Sequence, residues 1–131
     1  MADLTGQHLP NLRKKTPDFF KGDENFIWPA YNGNSILNIP AEVCNVLGAS
    51  IPEATGLSTE ISSQFGGDIK RVIMVLVDAL GLNLFKRWLG EGALPIWEGL
   101  IEQGNLFPIT SISPSTTSAA ITTYWTGKPA A

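Results

Sequence analysis

The sequence holds one histidine and one cysteine in 131 residues. A single thiol, Cys44, excludes an internal disulfide, and its place in an apolar helical pattern suits a buried, inert side chain. A single imidazole, His8, lies in a polar leader, and no metal set built from several histidines can be assembled from this sequence. Charge is sparse too. Charged residues make up 16% and the formal net charge is −3, which argues against a nucleic-acid polymer held by a broad basic surface. The one basic cluster, Arg13-Lys14-Lys15, is answered by Asp18, Asp23 and Glu24 and reads as solvated surface. No apolar run is long enough to span a bilayer, and the start carries no basic segment ahead of an apolar core. A cytoplasmic protein with no membrane partner is the expectation. No internal repeat is present.

What is there is a hydrophobic content of 44% in a chain of single-domain length, enough for a modest core. Residues 1–34 show no sustained period and mix prolines with isolated aromatics. They read as an arm whose aromatics pack on the body formed by residues 35–131. In that body Ser35–Ile39 is a short strand candidate, and Pro40 opens a helix that Gly48 closes. Leu57, Ile61 and Phe65 fall at helical spacing between a Ser58 cap and Gly66-Gly67. Val72 to Val77 is an unbroken apolar run with no polar face, the pattern of a strand buried on both sides. Leu82 to Leu89 suits an amphipathic helix, Pro95 begins another that Gly104 stops, and Leu106–Ile109 reads as a second strand weakened by Pro108. From Thr110 to Thr126, ten of seventeen residues are serine or threonine, ahead of and within a final helix. Strand, helix, helix, strand, helix in this order predicts an α/β fold, with a parallel sheet and helices on both faces.

Two short pieces carry the chemistry. The apolar run ends on Asp78, at the edge where open α/β sheets place their ligands. A carboxylate there is paired or metal-bound, or it caps the helix after Gly81. Ser115-Thr116-Thr117 precedes a helix start, where free backbone N–H groups favour an anion. A threonine hydroxyl becomes a nucleophile only when a metal or base draws off its proton. Its plainer role is again a helix cap, from Ser115 or Thr116.

Together the pieces resemble the N-terminal part of the alkaline phosphatase superfamily, closest to its type I phosphodiesterase/nucleotide pyrophosphatase branch. The apolar strand ending in V-D-x-x-G is matched by Val77-Asp78-Ala79-Leu80-Gly81, P-S-x-T by Pro114-Ser115-Thr116-Thr117, and T-G-x-x-P by Thr126-Gly127-Lys128-Pro129, one residue tighter than in many relatives. The likeness covers residues 35–131 and is specific in combination, each motif alone being weak. It implies a three-layer α/β/α fold with an incomplete parallel sheet, and two divalent metal ions, zinc by analogy. It makes Asp78 a metal ligand and Thr117 both nucleophile and ligand, with Thr116 the runner-up. The implied substrate is a small phosphate ester or nucleotide, hydrolysed through a covalent threonine intermediate. The family's other ligands are aspartates and histidines beyond the threonine, so the chain is expected to be an inactive N-terminal portion of the enzyme. The alternative is a non-catalytic α/β module that binds a phosphate-bearing ligand or a partner protein.

Overall fold

The structure, a computed structural model, describes residues 2–20 and 26–129. Asp23 and Glu24, expected to answer the basic cluster, lie outside the described residues, as do Ala130 and Ala131. The regular elements are helices: α1 (Thr5–Lys14), α2 (Ile39–Val46), the single turn α3 (Thr59–Ser62), α4 (Leu82–Gly90), α5 (Pro95–Gln103) and α6 (Thr117–Thr126), with 3₁₀ turns at Asp18–Phe20 and Ile36–Asn38. None among the described residues is long and apolar enough to cross a membrane.

The expected α/β fold with its parallel sheet, and with it the three-layer α/β/α arrangement, is not what forms. Among the described residues β-pairing is confined to two isolated parallel bridges, Asp3 with Leu106 and Ser35 with Thr110. The Val72–Val77 run belongs to no strand and lies exposed, Ile73 at 90% and Val75 at 76%. Among the described residues no backbone hydrogen bond is made by any residue from Arg71 to Leu76. Composition gave this run its strand character. A strand, however, is defined by backbone partners on its edges, and a buried one by cover on both faces. Neither is supplied here. The Ser35–Ile39 candidate is likewise a 3₁₀ turn running into α2, and Leu106–Ile109 keeps one bridge at Leu106.

Local signals place the helices well. Pro40 sits in the first turn of α2, where a missing N–H leaves nothing unsatisfied, and the Gly48 N–H closes the helix onto the Asn45 carbonyl at 3.0 Å. Pro95 opens α5 and Gly104 ends it. Phe85 of α4 is buried and meets Trp97 of α5 edge-on, with ring centroids 5.3 Å apart. Only one turn, α3, forms of the helix expected over Leu57 to Phe65. Ser58 is its cap residue by position but does not cap it through its side chain, whose hydroxyl donates to Asn34 Oδ1 at 3.3 Å.

The arm contains a helix, α1, which runs through Pro10 where the sequence shows no sustained period. Its order comes from outside itself. The Leu4 N–H donates to the Leu106 carbonyl at 3.0 Å, and the Leu106 N–H to the Ala2 carbonyl at 3.2 Å. Burial alone would raise the Asp3 carboxyl. Hydrogen bonding from Thr5 and the Lys86 ammonium 3.9 Å away outweigh it and hold the group below its ordinary value. His8 bridges α1 to α3, with Nδ1 3.2 Å from Glu60 and its ring edge against Phe107. Of the arm's aromatics, Phe19 and Phe26 both pack on Trp28.

A polar framework joins residues 30–38 to Thr110. The Thr110 hydroxyl accepts from the Ala30 N–H at 2.9 Å and donates to the Asn34 carbonyl at 3.1 Å, while the Thr110 carbonyl accepts from the Ile36 N–H at 3.0 Å. α6 packs on α2 and on the Ile36–Asn38 turn, so this framework is the floor that carries the end of the chain. At Gly33, with φ +98°, a Cβ would lie 2.9 Å from the Ser58 backbone nitrogen. Gly33→Ala is therefore expected to lose about 2–4 kcal/mol in urea unfolding, combining left-handed strain with overpacking. Gly48→Ala, at φ +80° in open space, should lose only the strain part, about 1 kcal/mol. Equal losses at the two glycines would refute the close approach.

Candidate functional site

Asp78 and Thr117, thirty-nine positions apart, are brought together. Each arrives by local geometry. Asp78 begins the turn that follows the apolar run, and Ala79 takes φ +57° in it. The left-handed residue is thus Ala79 and not Gly81, which has φ −71° and serves as the cap residue of α4 without a side-chain bond. A non-glycine residue held there costs about 1 kcal/mol. On the other side Thr116 has extended backbone angles, and its side chain accepts from the Ala119 N–H at 3.4 Å. The plain capping role therefore falls to Thr116. Asp78 caps nothing at α4. Its carboxylate faces Thr117, the first residue of α6.

The Thr117 hydroxyl donates to the Asp78 carboxylate, with Oγ1 3.2 Å from Oδ1 and 3.4 Å from Oδ2. One proton is shared between two acceptors at distances longer than the usual value of about 2.8 Å, so most of the lone-pair capacity of the carboxylate is uncommitted. Both residues are exposed and open to a ligand from solvent. Thr116, in contrast, has its oxygen committed to Ala119 and lies 3.4 Å from the Ser118 hydroxyl.

The pair lies in a cleft of ≈ 740 Å³. Thr117, Ala120, Ile121 and Tyr124 of α6 line it, at the spacing that shares one helix face. Tyr124 was not singled out by the sequence reading, although its position seven residues after Thr117 is the signal that would have found it. It is half-buried, and burial pushes its phenol above the ordinary value, so it stays a protonated donor well into alkaline pH. Ser115 also lines the cleft, without capping α6.

A carboxylate and a hydroxyl are donors of the right kind for a hard or borderline cation. They are too few to hold two metal ions, each of which needs several protein ligands. No group of three or more His, Cys, Asp or Glu side chains suited to a metal occurs among the described residues. His8 is held against Glu60 and Phe107 instead. Comparisons with family models, with curated proteins and with solved structures return no match.

Proposed function

We propose that the chain supplies the nucleophile-bearing part of a metal-dependent phosphoester hydrolase of the phosphodiesterase or nucleotide pyrophosphatase type. One observation carries the reading: the Thr117 hydroxyl rests on both oxygens of Asp78 at the first turn of α6. In this reading the Thr117 hydroxyl gives up its proton to solvent as Oγ attacks phosphorus, the bond to the ester oxygen breaks, and the leaving alkoxide takes a proton from water. Water then cleaves the phosphothreonine and restores the hydroxyl. Asp78 orients the hydroxyl and is the anionic donor that a divalent cation, zinc by analogy with the resembled branch, requires. The N–H groups at the start of α6 favour the phosphoryl oxygens. Because the donor set falls short, further ligands must come from polypeptide outside the described residues, and no turnover is expected from these residues alone. The rival reading, a non-catalytic module for a phosphate-bearing ligand, places no demand on Asp78 as a metal ligand.

A weak, partial metal site is measurable by paramagnetic broadening. Sub-stoichiometric Mn²⁺ added to the ¹⁵N-labelled chain is expected to broaden the amide signals around Asp78 and Thr117 first. Asp78→Asn should abolish that selectivity, while Thr116→Ala should preserve it. Broadening centred elsewhere, or unchanged in Asp78→Asn, would sink the metal part of the reading.

A further inference from the structure

The Val72–Val77 run is the longest exposed apolar stretch among the described residues. Its six consecutive apolar residues are exposed. Among the described residues the backbone from Arg71 to Leu76 has no hydrogen-bond partner, and none of the residues from Val72 to Val77 has a positive φ. Free donors and acceptors along an apolar segment of high β-propensity form a template for strand pairing. The charges flanking it say which strand fits. Lys70 and Arg71 stand at its start and Asp78 at its end. Lys70 is 76% exposed, and its one ion pair is with the equally exposed Asp68. A parallel copy would set like charges together at both ends. An antiparallel copy sets lysine against aspartate twice.

We infer that Val72–Val77 is a self-association edge, pairing antiparallel with the same segment of a second copy of this chain. Symmetry then selects the register. A two-fold axis relating antiparallel strands stands perpendicular to their plane, so paired residues must share a face, and their numbers must sum to an even value. The sum that places Lys70 opposite Asp78 is even. It pairs Val72 with Leu76 and Ile73 with Val75, and sets Met74 against its own copy on the axis. Every apolar residue but Val77, which faces Arg71, then meets an apolar one, and both ends carry opposite charges. Ala79, at φ +57°, marks where the pairing stops. An interface built mainly on one short strand is smaller than a standard one, which sets the expected dissociation constant at roughly 10 µM.

The register is testable with the full chain carrying Cys44→Ser to remove the native thiol. Met74→Cys puts two thiols directly opposite, with Cα atoms about 5 Å apart, inside disulfide range. Ile73→Cys puts them about 8 Å apart, outside it. Under mild oxidation Met74→Cys should cross-link at least about tenfold faster than Ile73→Cys, by non-reducing gel. Sedimentation equilibrium of the wild-type chain should show a monomer–dimer equilibrium, weakened roughly tenfold by Lys70→Glu, which faces Asp78 with a like charge. Both cysteines lie on an exposed segment outside the folded framework, so a misfolded variant is not the expected failure. A chain that stays monomeric to about 200 µM, equal cross-linking at the two positions, or open-ended assemblies would each overturn the inference. A strict monomer would assign the edge to a different polypeptide.

Discussion

Replacing Asn38 with leucine is expected to lower the melting temperature by more than about 10 °C, or to leave the chain largely unfolded at 37 °C. Asn38 is 1% exposed, and every hydrogen-bonding position of its amide is used. Oδ1 accepts from the Gly33 N–H at 3.1 Å and the Ser35 N–H at 3.0 Å. Nδ2 donates to the Tyr31 carbonyl at 2.7 Å and the Thr55 carbonyl at 3.0 Å. Leucine has the same branching with bulkier end groups, so no cavity opens and overpacking adds to the loss. The loss is four bonds and the backbone groups stranded behind them, about 1 kcal/mol for each bond and more where a stranded group stays buried. The sum, about 4–6 kcal/mol, rivals the whole stability of a domain with so small a buried core. Asn38→Asp keeps both acceptor bonds but sets a carboxylate oxygen against the Tyr31 and Thr55 carbonyls in a buried site, so it should lose at least as much as the leucine variant. A leucine variant that melts within about 3 °C of wild type would show that residues 31–55 are not held through this amide.

What the sequence made legible follows how local each determinant is. Pro40, Pro95, Gly48 and Gly104 act within one helical turn, and α2 and α5 begin and end where those residues say. The Thr116 cap is equally local. The three strand candidates failed for the opposite reason. Val72–Val77, Ser35–Ile39 and Leu106–Ile109 have strand-like composition, but pairing is a property of two segments, and among the described residues each finds at most one bridge. The helix α1 was hidden because contacts with Leu106 hold it in place and its own pattern does not. Asn38 gives only a local sequence signal, its spacing three residues after the Ser35 cap, and its partners at Tyr31, Gly33 and Thr55 are backbone groups that any residue could carry. The site is the instructive case. Asp78 and Thr117 were paired by motif, and the chain does bring them together, although the sheet expected to align them is absent among the described residues.

The largest functional effect is expected at Thr117. In a preparation that hydrolyses a phosphodiester, with the remaining ligands supplied, Thr117→Ala should lower kcat by at least about 10³-fold, since losing a nucleophile removes the covalent route entirely. Asp78 would remain, so metal binding should survive with little change, and a KM shift without a kcat loss would contradict a nucleophilic role. Thr117→Ser keeps a hydroxyl at the same atom position and should retain part of the rate. Thr116→Ala makes the informative contrast. Its oxygen caps α6 through the Ala119 N–H, so the variant should lose about 1 kcal/mol of stability while the covalent intermediate persists. Acid quenching during turnover, followed by mass spectrometry, reads both outcomes at once. The added phosphoryl mass should map to residue 117 in wild type and in Thr116→Ala, and be missing in Thr117→Ala. An adduct on Thr116, or full turnover by Thr117→Ala, would mean that the bond to Asp78 only anchors the first turn of α6. The apparent nucleophile would then be a structural hydroxyl, and Asp78 its partner without a cation to hold.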